Sequence, residues 1–396
     1  MRRVRIEPRP DWRAIVSAQG LVYCETLHPD GEIRPYWEDG AYYAFAPEEV
    51  RELERVSAEL FAMCIEAGDR IVERGLWREM GIAEHAVERI VETWHSEPPS
   101  VIGRFDLRYD GRSPPKLLEF NADTPTSLVE SAVVQWNWLE DRFPEEDQWN
   151  EIHDRLLHAW RRQLPAGSRI HFAHTTAERS GEDMMNTVYL QDTAEQAGHE
   201  TDALAVEEIG WHPLLGFVDA HERHIERIFK LYPWEWMVEE EFARHCLDWM
   251  GPGVTSTLWI EPIYKMLWSN KGVLAVLWEL FPGHPNLLPT YFDSARDMTA
   301  FVRKPLLSRE GQNIQVFAPR EGVILETGGD YGAEGYVYQQ FAPAPALDGS
   351  NHPVLGVWMV DGEPAGLGVR EGDGLITDNL SRFVPHLIEL DGSGDR

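Results

Sequence analysis

The chain has 396 residues, of which 67 are acidic and 36 are basic, so its formal net charge is −31. A surface of that sign repels phosphate backbones, which argues against general nucleic-acid binding. No run of about 18 apolar residues occurs and no apolar segment follows the basic N-terminus, so neither a membrane partner nor a secretory signal is predicted. Cys24, Cys64 and Cys246 fit neither a disulfide framework nor a zinc spacing, and a cytoplasmic location is expected.

The first third of the chain predicts helices followed by a hairpin. Apolar residues recur at three- and four-residue steps over residues 47–95, which favours helix. Residues 101–109 alternate, Asp110 and Gly111 give a turn signal, and residues 116–121 return. This pattern predicts two antiparallel strands.

The middle of the chain predicts an α/β unit. Residues 127–141 and 152–164 have helical patterns. Residues 169–174, 182–197 and 203–206 then follow as strand, helix and strand. That order is typical of a small parallel α/β unit.

The last part of the chain mixes helices with strands. We expect residues 221–250, rich in Trp and Glu, to be mostly helical and residues 271–280 to form an apolar helix. Strands are predicted within 300–317 and 336–369, and a frayed tail over 391–396. The fold class is therefore α/β or α+β, in one multi-lobed unit.

The predicted hairpin carries a possible metal site. Arg104 and Asp106 are two residues apart and so share one face of a strand, and Glu119 and Asn121 repeat that spacing on the returning strand. Asp, Glu and Asn supply the hard oxygen ligands that Mg²⁺ takes beside phosphates and water. An arginine there suits charge developing on a phosphoryl or acyl oxygen. A salt-bridge ladder across a hairpin is the alternative interpretation.

The loop after the hairpin leads into a predicted helix. Residues 122–127 contain small hydroxyl side chains at a helix start, where backbone N–H groups favour an anion. An ordinary N-cap explains the same residues. The chain has no P-loop and no dinucleotide-binding glycine motif, so any nucleotide would be held in another way.

Two lysines lie where they could reach phosphates. Lys271 opens the apolar helix, and Lys304 ends an apolar strand-like run before a turn at residues 308–311. Backbone donors in such a turn could close over phosphate groups. A lone lysine is more often a solvated charge, and this alternative stays open at the level of sequence.

Taken together, the motifs resemble the glutathionylspermidine synthase family, whose synthetase domain is an ATP-grasp ligase. The resemblance covers residues 10–388, with 167–210 as an inserted α/β subdomain and 389–396 as a tail. It implies an ATP-grasp-like, multi-lobed fold. The matching motifs, in family order, are Gly103-Arg104-Phe105-Asp106, Glu119-Phe120-Asn121-Ala122-Asp123, Trp268-Ser269-Asn270-Lys271, Arg303-Lys304-Pro305, Tyr338-Gln339-Gln340 and Gly368-Val369-Arg370.

The resemblance implies roles for particular residues. It implies that ATP and two Mg²⁺ ions are bound and that Arg104 stabilises the transferring phosphoryl group. The implied metal ligands are Asp106, Glu119 and Asn121. The implied ATP contacts are Arg104, Lys271, Lys304, Gly311, Gln339, Gln340 and Arg370. The implied substrate contacts are Thr124, Thr126, Glu182, Asp183 and Lys230.

The family mechanism forms an amide through an acyl phosphate, from a small-molecule or peptide carboxylate and an amine. The chain is too short for the amidase domain of the bifunctional members. It also departs from the family at Val354, where a nucleotide-contacting Gln is expected, and at Arg382, where a polyamine-contacting acid is expected. A nucleotide-binding pseudoenzyme and a metal-dependent hydrolase are the rival interpretations.

Overall fold

The computed structural model describes residues 1–248, 256–309, 311–378 and 380–390. The predicted tail over 391–396 lies outside the described residues, as do Glu310 and the last two residues of the predicted helical region 221–250. Within the described ranges the chain is a mixed α/β protein, as the sequence predicts.

An antiparallel sheet, here called the central sheet, contains the predicted hairpin. The hairpin strands pair antiparallel on either side of a turn that contains Gly111, whose φ of 74° suits glycine. Strands from the C-terminal part of the chain extend the sheet beyond the hairpin. The strands, in spatial order, are Arg382–Val384, Glu363–Gly372, His352–Val360, Ile102–Arg108 and Lys116–Asn121.

A second antiparallel sheet, the outer sheet, carries Lys304 and Gln339 on neighbouring strands. It confirms the strands predicted within 300–317 and at the start of 336–369. Its strands, in spatial order, are Thr290–Tyr291, Tyr336–Gln340, Phe301–Pro305, Gln315–Ala318 and Gly322–Glu326.

A third sheet is wholly parallel and confirms the predicted strand–helix–strand unit. Two of its strands come from outside the predicted unit of residues 167–210. The prediction that residues 221–250 are mostly helical is wrong in its first half, because Arg227–Leu231 is a buried strand and the two short helices of this region both follow it. The strands of this parallel sheet, in spatial order, are Leu258–Ile260, Arg227–Leu231, Arg169–His174 and Glu200–Ala205.

Three smaller groups of strands complete the sheets. The first has the order Arg2–Arg5, Ala41–Phe45 and His386–Ile388, and so brings the two ends of the described chain together. The others are the two-stranded pairs Glu25–Leu27 with Ile33–Pro35 and Gly210–His212 with Gly216–Val218.

The helices include each one that the periodicity predicts between residues 47 and 197. The region predicted as helix over 127–141 contains a π-helix, Glu130–Val134. Short 3₁₀ turns occur at Val206–Glu208 and Ile263–Lys265. The α-helices are Trp12–Ala18, Pro47–Arg74, Glu84–Ser96, Gln135–Arg142, Ile152–Gln163, Glu182–Gln196, Trp234–Met237, Ala243–Asp248, Met266–Ser269 and Gly272–Leu280.

The long helix Pro47–Arg74 shows how the core is packed behind the central sheet. Its proline at the first position and Gly75 after its end are the residues that helix termini favour. Gly68 on its buried face lies against the indole of Trp94, and an added Cβ would come within 2.0 Å of Cη2. Trp94 is held in place by edge contacts with Tyr264 and Trp268 at centroid distances of 5.6 Å.

Gly68→Ala is expected to destabilise the fold, although alanine is the better helix former. We expect overpacking of about 1–3 kcal/mol to outweigh the helix propensity of about 1 kcal/mol that alanine adds. Urea unfolding measures the change, with the exposed Glu66→Ala on the same helix as the matched control. A Gly68→Ala protein as stable as the native chain, or more stable, would contradict this packing.

Candidate active site

A cleft of about 1010 Å³ opens between the central sheet and the outer sheet, and loops of the parallel sheet close its third side. The central sheet contributes Arg104, Asp106, Glu119 and Asn121 to its wall. Most of the residues that the sequence nominated, from six separate regions of the chain, therefore line one cavity. Lys230 is the exception and does not line it.

The four hairpin residues form a ladder across two strands. Arg104 pairs in register with Asn121, and Asp106 with Glu119. The Arg104 guanidinium donates to both carboxylate oxygens of Asp106, from Nε at 2.7 Å and from Nη2 at 3.0 Å. Its Nη1 donates to the Thr126 carbonyl at 2.5 Å. On the neighbouring strand Gly356 leaves room for this side chain, since a Cβ there would approach Arg104 Cδ to 2.9 Å.

The ladder places hard oxygen donors side by side in a partly buried wall. The Asn121 amide lies between the carboxylates, 3.2 Å from Asp106 Oδ2 and 3.3 Å from Glu119 Oε1, and turning it would present its oxygen. Burial raises the pKa of Asp106 against the opposing effect of Arg104, and Glu119 raises it further. Within the described ranges no three His, Cys, Asp or Glu side chains cluster as a metal site. Two carboxylates and an amide still fit Mg²⁺ that takes its other ligands from phosphates and water.

The two nominated lysines converge on Glu119 from opposite sides. Lys271 Nζ lies 3.2 Å from Glu119 Oε2 and donates to the Ser308 carbonyl at 2.9 Å. Lys304 Nζ donates to Gln339 Oε1 at 2.7 Å. Burial opposes ionisation of Glu119, but Lys271 and Lys304 hold its pKa at about 2. Burial lowers the pKa of Lys304 to about 8, although Glu119 acts in the opposite direction.

The remaining ATP-binding candidates surround these lysines. Gly311 has a φ of 69°, and a Cβ there would lie 2.9 Å from Ile376 Cγ2, so glycine is required both by its conformation and by its neighbours. Arg370 donates from Nη2 to the Asp378 carbonyl at 2.6 Å. Gln340 is exposed at the cleft edge, whereas Gln339 is buried.

Two side-chain contacts hold the loop that follows the hairpin. Arg309 donates to Thr124 Oγ1 at 2.8 Å and so links the predicted phosphate turn to this loop. Asp123 accepts from Lys230 Nζ at 2.7 Å, and both side chains are almost fully buried. Lys230 is thus paired with Asp123 at the start of the loop that carries Thr124 and Thr126, and it does not line the cleft.

Acidic side chains also line the cleft, among them Glu25, Glu178, Glu182 and Asp183. Carboxylates in the wall of a cleft attract cations such as an ammonium group. The nominated Glu182 and Asp183 therefore lie in the same cleft as the two lysines.

The structure places the two departures from the family, Val354 and Arg382, in different parts of the molecule. Val354 lines the cleft, where its side chain offers no hydrogen bond. Arg382 lies instead in a separate surface hollow, where Nη2 is 2.9 Å from Asp373 and 3.2 Å from Glu371. The position at which the resemblance implies a polyamine-contacting acid therefore does not line the cleft, because acids of its own neighbourhood hold Arg382 elsewhere.

Sequence reasoning missed several cleft residues. Tyr23, Tyr36 and Arg309 line the cleft, and Tyr36 donates to the buried carboxyl of Glu130 at 2.7 Å. Burial raises the pKa of Glu130 to about 7, with a further contribution from Glu182. An acid within the apolar run 128–134 was the one signal in the sequence that could have identified this group.

Lys230→Met should lower the free energy of unfolding by about 3–5 kcal/mol, because it leaves the Asp123 carboxylate buried without its cation. Chemical denaturation provides the measurement. Arg70→Met, which breaks the exposed pair with Glu279, should cost about 1 kcal/mol or less. Similar losses in the two variants would show that the Lys230–Asp123 pair is not buried as described.

Glu130 should make stability depend on pH. Its folded pKa of about 7 exceeds the ordinary value of 4.5, so the native chain binds the proton more tightly and its free energy of unfolding falls as pH rises through this window. Glu130→Gln should remove up to about 3 kcal/mol of that fall. Denaturation at about pH 5 and about pH 8 tests this, with the exposed Glu140→Gln as control. Parallel pH curves for native and Glu130→Gln proteins would contradict it.

Comparison with known proteins places the chain in a family. Residues 3–389 match the family model described as glutathionylspermidine synthase preATP-grasp. A Haemophilus influenzae protein named "Putative acid--amine ligase" is 38% identical, over 98% of this chain and 99% of its own length. The resemblance inferred from the motifs is thereby confirmed.

Longer relatives share the same region. The bifunctional glutathionylspermidine synthetase/amidase of Escherichia coli (strain K12) is 26% identical over 88% of this chain and 59% of its own length. The trypanothione synthetase of Crithidia fasciculata is 25% identical over 78% of this chain, which spans 50% of that enzyme. These relatives are ligases, and each is considerably longer than the region that it shares with this chain.

A solved structure confirms the fold class. A glutathione synthetase-like effector of Globodera pallida, in its apo form, superposes with a TM-score of 0.57 over 96% of both chains at 12% identity. No helix in the described ranges is long and apolar enough to span a membrane. The chain belongs to the glutathionylspermidine synthase preATP-grasp family, and its class is that of the ATP-dependent ligases that form C–N bonds.

Proposed function

We propose that this cleft joins a small-molecule or peptide carboxylate to an amine through an acyl phosphate, with ATP as the phosphoryl donor. The observation that carries the proposal is the convergence of Arg104, Asp106 and Glu119 with Lys271 and Lys304 in one cleft. A hydrolase that uses the same oxygen ligands has no need of two buried lysines. Phosphoryl transfer does, because it depends on positioning and neutralising charge.

The ladder is the proposed magnesium site. Asp106, Glu119 and Asn121 would hold two Mg²⁺ ions, since hard oxygen donors facing a nucleotide cleft match the preference of that ion. When bound, the ions would supply positive charge that neutralises the transferring phosphoryl group. Arg104 and Lys271 already neutralise these carboxylates in the structure, at 2.7 Å and 3.2 Å. This explains how two partly buried acids can stand side by side.

The part of the cleft that holds Lys271 and Lys304 is the proposed nucleotide site. Lys271 and Lys304 would hold the phosphates, and the turn with Gly311 would cover them. Arg370 would add a further contact from the central sheet. Gln339 and Gln340, at the end of an outer-sheet strand, would contact the adenine.

The substrate carboxylate would lie between Arg104 and the loop with Thr124 and Thr126. Arg104 there would stabilise the oxygen that gains charge as the carboxylate attacks the γ-phosphate. Lys230 would position that loop through Asp123 and would not touch the substrate. The amine would approach past Glu182 and Asp183, which line the cleft and attract a cation.

The identity of the substrates is proposed only by class. The Escherichia coli and Crithidia relatives bear the names of glutathionylspermidine and trypanothione synthetases, and the Haemophilus protein that of an acid–amine ligase. For this chain we propose residues 10–388 as one ligase unit of the cytoplasm, with residues 167–210 as its inserted α/β subdomain.

Asp106→Asn and Glu119→Gln should each lower Mg²⁺-dependent ADP release at least about 100-fold. The assay screens ATP, Mg²⁺ and a metabolite extract by mass spectrometry for a product of one condensation. Glu363→Gln, an exposed acid on the same sheet, serves as the control. If the native chain neither binds nucleotide in a Mg²⁺-dependent manner nor forms a product, the proposed function is wrong.

Arg104→Lys tests whether the shape of the guanidinium matters beyond its charge. Lysine keeps the positive charge but loses the fork that contacts Asp106 and the Thr126 carbonyl together. Turnover should fall about 100-fold while calorimetry shows Mg–ATP affinity nearly unchanged. Equal effects on affinity and turnover would assign Arg104 to ground-state binding alone.

A further inference from the structure

One carboxyl group behind the cleft wall has no part in the scheme above. Glu130 has no exposed surface and begins the π-helix Glu130–Val134. Its Oε1 accepts hydrogen bonds from the hydroxyls of Tyr36 at 2.7 Å and Tyr23 at 2.9 Å. Both tyrosines line the cleft, so two phenols connect a buried acid to the substrate space.

The second oxygen of this carboxyl is unusual. Oε2 of Glu130 is buried and has no hydrogen-bond partner among the residues that the structure describes. Burying such an oxygen unpaired costs stability, and a glutamine oxygen could accept the same two phenol hydrogen bonds without a charge. A π-helical turn is rare in proteins overall, and where one occurs it often lies at a functional site. These features together favour a role for the proton of Glu130.

Several charged or titratable groups face this acid. Tyr23 and Tyr36 approach it from the N-terminal segment, and Glu182 acts on it from the helix Glu182–Gln196. Arg370 of the central sheet acts on Tyr36 and partly offsets the burial of that hydroxyl. Burial and Glu182 raise the pKa of Glu130 to about 7, a value suited to exchange of a proton near neutral pH.

The ligase reaction needs such an exchange. An amine is an ammonium ion at neutral pH and has no free electron pair until it loses a proton. We propose that Tyr36 contacts the ammonium group of the amine substrate, accepts one of its protons and passes its own hydroxyl proton to Glu130. This inference rests on the proposed ligase function. We choose Tyr36 over Tyr23 because its hydrogen bond to Glu130 is shorter, at 2.7 Å against 2.9 Å. The positive charge of Arg370 also acts on the Tyr36 hydroxyl.

The step balances without another reactant. The freed electron pair on nitrogen attacks the carbonyl carbon of the acyl phosphate, and a C–N bond forms. The bond between that carbon and the phosphate oxygen breaks, with its electron pair leaving on phosphate. The leaving phosphate takes the second proton from nitrogen. Ammonium, acyl phosphate and the Glu130 carboxylate thus give amide, hydrogen phosphate and protonated Glu130, which returns its proton to solvent through Tyr36.

Infrared difference spectroscopy tests the acceptor without any substrate. Spectra of the whole chain between about pH 5 and about pH 9 should show a protonated-carboxyl band that disappears with a midpoint near pH 7. The band should be absent from Glu130→Gln and retained in the exposed Glu140→Gln control. If no Glu130-dependent band titrates in this range, the group cannot accept and release the proton and the proposal is wrong.

Turnover tests the direction of proton flow, with the substrate pair found in the product screen. Hydroxylamine, a neutral nucleophile near pH 7, should still capture the acyl phosphate in Glu130→Gln and Tyr36→Phe to within about twofold. Amide formation from the ammonium substrate should fall about 100-fold in both. In the native chain the rate of amide formation should rise with pH through about 7. Glu130→Gln should show no such rise.

The outcomes separate the two proposals. A native chain that gives neither hydroxamate nor amide overturns the ligase function itself, and this inference with it. Equal losses of hydroxamate and amide in Glu130→Gln would show a structural role and overturn only the proton acceptor. Retention of full amide formation in Tyr36→Phe would overturn it as well.

Discussion

The active-site cleft depends on pairing between two adjacent strands. Because Arg104 pairs with Asn121 and Asp106 with Glu119, two carboxylates come to lie side by side in a largely buried wall. That arrangement is costly unless cations stand close, and Arg104 and Lys271 provide them at 2.7 Å and 3.2 Å. A bound metal ion would serve the same electrostatic need.

Two devices hold the ladder where it is. Phe105 and Phe120 alternate with its polar residues and stack at a centroid distance of 4.1 Å in the core behind it. Because side chains on a strand alternate, the burial of these two rings fixes the face on which Asp106 and Glu119 appear. The buried Lys230–Asp123 pair then fixes the loop that continues from the ladder toward the substrate.

Much of this site was predictable because its signals are local. Strand alternation around Asp110-Gly111 predicted the ladder. The family resemblance, which the family model confirms, assigned Lys271 and Lys304 to the same site. The strand Arg227–Leu231 was misread because Lys230 interrupts an apolar run, and only the distant Asp123 explains how a lysine can be buried there. The position of Arg382 was misjudged and Glu130 was missed for a similar reason. Strand and helix packing brings their partners near, and residue spacing does not reveal that packing.

Crystallography with Mn²⁺ and a non-hydrolysable ATP analogue can show whether the ladder is a metal–nucleotide site. We expect anomalous density beside Asp106, Glu119 and the oxygen of a turned Asn121, with the analogue's phosphates reaching toward Lys271 and Lys304. Manganese bound elsewhere, with the Arg104–Asp106 and Lys271–Glu119 contacts unchanged and the cleft empty of nucleotide, would contradict it.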